Sequence, residues 1–142
     1  MSVVVDANIV AALVLPLPYS DQSRSRMDAW ERDHVDLVAP MLLEYEVSSA
    51  LRKAVTIGWL SQDEVDEALQ RLLNLDIECW PPTPEQHSSA LRWAERLGQS
   101  KTYDSYYLAL AEQQRADLWT ADRRLAHRAR QLHITWIHWI GE

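Results

Sequence analysis

The sequence predicts a single α/β domain over residues 1–142 with a short, mostly parallel sheet. Short apolar runs alternate along the chain with longer helical segments, an order that is typical of a parallel sheet covered by helices. The first run, Val3–Val5, is continuously apolar, as expected for a strand that is buried on both faces. The length suits one domain with a sizeable core, and no repeat, linker or low-complexity tract divides it.

Two helices are predicted after the first strand. Residues 7–15, ANIVAALVL, form the first one. Pro16 and Pro18 should end it, because proline has no N–H to donate and its ring clashes with the preceding turn. Ser20 is placed to cap the second helix, which would run to about His34.

The next segment contains a strand and two helices. DLVAP at 36–40 is the strand, and apolar residues at helical spacing predict a helix over 41–57 that Gly58 ends. The SQDE pattern at 61–64 is a capping box, so a further helix should start there and run to about Asn74.

The rest of the chain continues the alternation. DIECW at 76–80 reads as a strand, and TPEQ at 83–86 starts a helix that ends at Gly98. The remaining predicted elements are a helix over 103–114, a strand over 116–120, a helix over 122–131 and a last strand over 134–139.

Composition narrows the classes of function. A net charge of −7 argues against tight, purely electrostatic nucleic-acid binding, although a bound divalent cation would reverse the charge of a local acidic site. The single cysteine, Cys79, excludes an intrachain disulfide and suits a reducing cytosol. No signal-peptide pattern or membrane span is evident, so we expect a cytoplasmic protein that does not insert into a membrane.

Three aspartates stand where chemistry is expected. Asp6 directly follows the first strand and Asp122 follows another, and each is either a helix N-cap or a metal ligand. Thr120 competes with Asp122 for the capping role. Asp104 lies on the apolar face of its helix, where a carboxylate needs a partner, unless it is exposed and complements the helix dipole.

Two glutamates compete for a place beside these aspartates. Glu44 and Glu46 flank the apolar stripe of their helix on opposite sides, so helical geometry alone does not choose between them. Both could equally be solvated acids near the positive end of the helix. Ligands bind outside the carboxyl ends of parallel strands, and hard cations prefer oxygen ligands, so the acids together suggest a metal site.

Other catalytic patterns are absent. The five histidines show no HExxH spacing, and the three glycines form no P-loop or dinucleotide fingerprint. There is no GxSxG nucleophile elbow.

Three stretches, VVVDANIV, APMLLEYEVSSALRKAV and YDSYYLALAEQQRADLWTADRRL, resemble in order and spacing the PIN domain, in particular the VapC-type toxin ribonucleases of toxin–antitoxin pairs. The resemblance extends from residue 3 to about residue 137. It places the family's catalytic acids on Asp6, Glu46, Asp104 and Asp122, with Asp6, Asp104 and Asp122 as metal ligands. Glu46 is preferred because it stands directly before Val47, with Glu44 as the alternate. Asn8 and Thr120 also fit the pattern.

The resemblance implies a three-layer α/β/α sandwich and a Mg²⁺- or Mn²⁺-dependent endoribonuclease that hydrolyses RNA. It implies a small antitoxin as partner, and a homodimer. Two alternatives stay open: a non-catalytic PIN-like domain that only binds a partner, and a Mg²⁺-binding receiver-like signalling domain. Basic residues could border the site and grip phosphates, and three tyrosines beside Asp104 could stack on RNA bases. These residues are Arg52, Lys53, Arg123, Arg124, Arg128 and Arg130, and Tyr103, Tyr106 and Tyr107.

Overall fold

A computed structural model describes all residues, Met1–Glu142, and has a five-stranded sheet in which every strand pair is parallel. The strands are β1 (Ser2–Val5), β2 (Asp36–Pro40), β3 (Ile77–Trp80), β4 (Asp117–Thr120) and β5 (Ile137–Trp139). The helices are α1 (Ala7–Ala11), α2 (Ser20–Arg32), α3 (Leu42–Thr56), α4 (Gln62–Leu73), α5 (Pro84–Leu97), α6 (Tyr103–Gln114) and α7 (Arg123–Gln131). The predicted α/β class and its alternation of strands and helices are confirmed.

The strand order is β3-β2-β1-β4-β5. The chain therefore moves outward from β1 to β3, crosses back to β4, and continues outward in the other direction to β5. Since crossovers between parallel strands are right-handed, helices α1 to α4 cover one face of the sheet and α5 to α7 the other. The contacts of α1 with α3 and of α5 with α6 agree with this three-layer arrangement.

The core is centred on β1 and on α6, which crosses β1, β2 and β4. Val4 and Val5 are fully buried, as expected for a central parallel strand. With no Phe in the chain, the large aromatic side chains of the core are Trp30, Trp93 and Tyr107. Helix α6 therefore presents buried residues to the sheet along most of its length.

Helix boundaries near the N-terminus differ from the prediction. Helix α1 ends at Ala11, not Leu15, because the following residues continue as turns in which the N–H groups of Leu13 and Val14 bond three residues back. The two prolines are therefore not what ends α1. Ser20 is the first residue of α2 and not its cap: its hydroxyl donates to the Leu15 carbonyl and accepts the Leu17 N–H.

Other boundaries are close to those predicted. Helix α2 ends at Arg32, since His34 takes a left-handed conformation with φ of 54°. Strand β5 keeps only the last three residues of the predicted 134–139 run. The capping box of Ser61 and Glu64 and the Thr83 cap are both present. No helix has the length and apolar character that crossing a membrane would require.

Replacing Leu118 by alanine tests the packing of the central strands. Leu118 is fully buried in β4, between β1 and β5, so Leu118→Ala should lower the free energy of unfolding by about 2–5 kcal/mol through lost burial and a cavity. Leu73→Ala, at an exposed position of α4, is the matched control and should cost less than about 1 kcal/mol. Equal losses in urea titrations of the two variants would contradict this placement of the core.

A carboxylate cluster at the carboxyl edge of the sheet

The carboxyl ends of β1 and β4 lie side by side where the strand order reverses. Val5 is paired with Trp119, and the Asp6 N–H donates to the Trp119 carbonyl at 3.0 Å. Asp6 therefore leaves β1 next to Thr120, the last residue of β4, with Asp122 two residues further on. In open parallel sheets such a switch point forms a crevice in which ligands bind.

The hydroxyl of Thr120 holds this edge together. It donates to Oδ2 of Asp6 at 2.8 Å and accepts from the Asp122 N–H at 3.0 Å and from Nδ2 of Asn8 at 3.3 Å. The Asn8 side chain also accepts the Ala121 N–H at 3.0 Å. One donor and two acceptor positions are all that a hydroxyl offers, so Thr120 is fully used. It thereby links the residue after β1 to the loop after β4.

Asp6 is a buried carboxylate, with 5% of its surface exposed. It occupies the N-cap position of α1 but makes no capping hydrogen bond, so the capping alternative is wrong for this residue. Burial is the main reason that its pKa rises from 3.8 to about 7. The Thr120 bond opposes the rise in pKa, while the charges of Asp104 and Glu46 add to it.

Glu46, and not Glu44, is oriented toward Asp6. Oε1 of Glu46 accepts the hydroxyl of the buried Tyr107 at 2.7 Å. Burial raises the pKa of Glu46, the Tyr107 bond opposes this, and the charge of Asp104 adds to it. Glu44 is exposed and lies instead beside Cys79, whose thiol pKa is raised to about 11 by burial and by Glu44.

Asp104 lies in the first turn of α6 and is partly buried. Its Oδ2 accepts Nε2 of Gln99 at 3.1 Å. Gln99 reaches it because Gly98 ends α5 in the left-handed region, at φ of 69°, which glycine adopts without steric cost. Burial raises the pKa of Asp104; the Gln99 bond opposes this, and the charge of Asp122 adds to it.

Asp122 caps α7. Its Oδ1 accepts the N–H groups of Arg124 and Leu125 at 2.9 and 3.2 Å, so the capping role considered for it is present. The charge of Asp122 also adds to the rise in the pKa of Asp104. Burial raises the pKa of the half-buried Tyr19, and the charges of Asp6 and Asp122 add to that rise. Asp122 therefore caps α7 and still lies close enough to Asp6 and Asp104 for their charges to act together.

Asp6, Glu46, Asp104 and Asp122, hereafter the acidic cluster, have no basic partner. All ion pairs of the structure lie elsewhere: Arg24 with Asp21, Arg130 with Glu142, and His138 with Asp117. Carboxylates left together without a cation are the donor chemistry that Mg²⁺ or Mn²⁺ would take. No three acidic, histidine or cysteine side chains are already arranged to hold a metal ion, however. The donors fit such a metal, but a preformed cage is absent.

A cleft of about 480 Å³ opens over part of the cluster. Glu46 and Asp104 line it together with Lys101 and Tyr103. Two further residues at the cluster, Gln99 and Tyr19, were not identified from the sequence. Tyr107, considered for stacking on RNA bases, is instead fully buried and donates to Glu46. The position of Tyr107 three residues after Asp104, on the same helix face, was the available signal. Gln99 and Tyr19 lie in loops or at a helix start and show no local pattern.

The PIN domain model matches residues 3–131, which is most of the chain. The chain belongs to the PIN domain family. Ribonuclease VapC3 of Pyrobaculum aerophilum is similar, at 35% identity over 90% of this chain and 95% of that protein. Ribonuclease VapC1 of Mycobacterium tuberculosis is 36% identical over 62% of this chain and 64% of that protein.

Solved structures show the same PIN fold. VapBC2 of Rickettsia felis, solved with a promoter DNA fragment, gives a TM-score of 0.70 at 12% identity and covers 97% of this chain and 98% of its own. VapC20 of Mycobacterium tuberculosis, described as a toxin that cleaves the sarcin-ricin loop, gives 0.64 at 13% identity, with coverage of 88% and 94%. A Pyrobaculum aerophilum crystal structure gives 0.67 at 25% identity, with coverage of 90% and 79%.

The metal-free PIN domain should lose stability as the pH rises. The folded-state pKa of Asp6, about 7, exceeds its ordinary 3.8, so its stabilising contribution is complete below about pH 4 and is lost as the pH passes 7. The raised pKa values of Glu46 and Asp104 act in the same direction. In EDTA, the free energy of unfolding from urea titrations should fall by on the order of a few kcal/mol between pH 5 and pH 8.

Asp6→Asn should flatten most of that pH dependence, because the amide carries no charge at either pH. Asp66→Asn, at an exposed position of α4, makes the same change in net charge and is the matched control. It should keep the pH dependence of the wild-type protein. Identical pH profiles for wild type and Asp6→Asn would contradict the burial of an ionisable Asp6.

Proposed function

We propose that this PIN domain is a metal-dependent endoribonuclease that hydrolyses RNA phosphodiester bonds as the toxin of a toxin–antitoxin pair. The observation that carries the proposal is the acidic cluster, which has no cation of its own and lies at the sheet's switch point. The similarity to proteins named ribonuclease VapC supports RNA as the substrate.

Each acid has a proposed role. Asp6, Asp104 and Asp122 would hold Mg²⁺ or Mn²⁺, and Glu46 would act as a further ligand or as the base for the attacking water. When bound, the metal neutralises phosphate charge and lowers the pKa of a coordinated water. The chain itself supplies the orientation of these groups: Thr120 holds Asp6, and Gln99 holds Asp104.

Glu46 is well placed to accept a proton. The Tyr107 hydroxyl fixes one of its carboxylate oxygens, and burial raises the pKa of Glu46 above its ordinary value, which makes it a stronger base. A general base works best when its pKa lies near the working pH. Because Tyr107 is itself fully buried, its hydroxyl has little freedom to move away from Glu46.

Exposed basic side chains would contact the RNA backbone despite the acidic net charge. Lys101 lines the cleft beside Asp104, and the arginines that follow Asp122 are solvent-exposed on α7. Phosphate contacts of this kind position an RNA without reading its sequence. The arginines are Arg123, Arg124, Arg128 and Arg130.

We further propose a small antitoxin as partner, a homodimer as the assembled toxin, and a cytoplasmic location. The VapBC2 complex among the similar structures supports the antitoxin. The single, partly buried Cys79 fits a reducing compartment. A non-catalytic PIN domain that only binds its partner is the competing possibility, and substitution of the acids separates the two.

Asp6→Asn and Asp104→Asn should each lower the Mn²⁺-dependent cleavage of a total RNA pool by about 100-fold or more, because each removes a proposed metal ligand. Asp66→Asn on α4 is the control and should cleave at the wild-type rate. Gel analysis of the RNA with and without Mn²⁺ gives the measurement. If the wild-type protein leaves RNA intact at every metal concentration tested, the non-catalytic alternative is correct.

Mg²⁺ or Mn²⁺ should raise the melting temperature of the wild-type protein. The metal-free cluster contains carboxylates that repel one another, and a ligand that binds only the folded state stabilises it by about 3 kcal/mol at 100 times its Kd. Thermal melts in EDTA and in 10-fold increments of metal would measure the shift, with Asp6→Asn as the variant that should shift less. An unchanged wild-type melting temperature at saturating metal would exclude binding at the cluster.

A further inference from the structure

A separate apolar pocket of about 350 Å³ lies beside the acidic cluster. Its volume is in the range of small-molecule sites, about 300–1,000 Å³. The end of β2, the start of α3, the start of α5 and the first turn of α6 form its walls. Its lining includes Pro40, Tyr45, His87, Tyr103 and Tyr106.

Two tyrosines of this pocket are unusually exposed. Tyr45 has 68% and Tyr103 56% of its surface accessible to solvent. Neither ring makes an aromatic or cation–π contact within the chain, whereas Tyr106 packs edge-on against His87. Tyr45 and Tyr103 therefore present ring faces and edges that the fold itself does not use.

The pocket adjoins the cleft over the acidic cluster. Tyr103 lines both cavities, and it directly precedes Asp104. Tyr45 directly precedes Glu46 on α3. Pro40 ends β2, which is hydrogen-bonded to β1, the strand that leads to Asp6. Neighbouring strands lie about 4.8 Å apart, so the pocket begins roughly one strand spacing from the cluster.

We propose that this pocket, the tyrosine pocket, binds the base of an unpaired nucleotide next to the phosphate that is cleaved. The inference rests on the proposed ribonuclease function and adds a site that selects single-stranded RNA. A base stacks on aromatic side chains whatever its identity, which suits Tyr45 and Tyr103. The acids alone would repel the phosphate next to that base, whereas the adjoining Lys101 would contact it and offset the repulsion.

Polar atoms in the pocket suit a base better than a purely apolar side chain. Nδ1 of His87 and the hydroxyl of Tyr106 are hydrogen-bonded to each other. Whichever of the two donates, the Tyr106 oxygen keeps an unused acceptor position at the pocket wall, where the edge of a stacked base would lie. An apolar side chain would leave that pair unchanged, so the pair adds nothing to the binding of such a partner.

RNA binding tests the proposal independently of cleavage. The probes are fluorescein-labelled single-stranded r(A)9 and the same strand with a central abasic nucleotide, titrated with protein and followed by fluorescence anisotropy. All proteins carry Asp6→Asn so that the RNA stays intact. Tyr45→Ala and Tyr103→Ala should each weaken r(A)9 binding by about 5- to 100-fold, the effect of losing one base stack. Leu91→Ala, at an exposed apolar position of α5, is the control and should bind like the parent protein.

The abasic strand and the salt dependence separate base stacking from other roles. The parent protein should bind the abasic strand about as weakly as Tyr45→Ala binds r(A)9, and Tyr45→Ala should not distinguish the two strands. Tyr45→Ala should also keep the parent's dependence of log Kd on log salt concentration, whereas Lys101→Ala should reduce its slope.

Equal binding of both strands by the parent protein would overturn the proposal, and so would an unchanged r(A)9 affinity in both tyrosine variants. It would also be overturned if the tyrosine variants lost a dimer that the parent protein forms in sedimentation while their RNA affinity stayed unchanged. The last result would mean that a second copy covers the pocket. Failure of the ribonuclease proposal is recognised separately, as absence of RNA cleavage by the wild-type protein in Mn²⁺, and the binding titrations decide the pocket in either case.

Discussion

Burial of the Asp6 carboxylate at the end of the central strand is the constraint on which the site depends. A charge out of water is costly unless it is paired, and Asp6 receives one hydroxyl bond from Thr120 and no basic partner. Its raised pKa expresses that cost. Glu46 and Asp104 add negative charge instead of relieving it. The fold therefore maintains an unfavourable concentration of negative charge that a cation would relieve.

The topology explains why this charge collects in one place. Because the chain crosses back between β3 and β4, the carboxyl ends of β1 and β4 become neighbours although they are far apart in sequence. The bond from Thr120 to Asp6 spans 114 residues. Helix α6 crosses the same strands and brings Asp104 and Tyr107 to this edge, and α3 adds Glu46.

The same edge also resolves the conflict between an acidic chain and an RNA substrate. The tyrosine pocket lies toward β2, the acidic cluster at β1 and β4, and the exposed arginines of α7 beyond β4. Stacking and phosphate contacts would then flank the acids on both sides, so affinity does not require a basic surface overall. The net charge of −7 is compatible with such a local arrangement.

Local sequence patterns determined most of the fold: the buried Val3–Val5 strand, the capping box at Ser61, and the bounds of α6 all follow from interactions within a few residues. The sequence also indicated the acids that gather at one edge, through their resemblance to a family. Tertiary structure decided the rest. Helical spacing could not choose between Glu44 and Glu46, because that choice depends on where Tyr107 lies after folding. Likewise, Asp6 precedes a helix as a cap would, yet its hydroxyl partner comes from a distant strand, and no local pattern encodes such a contact.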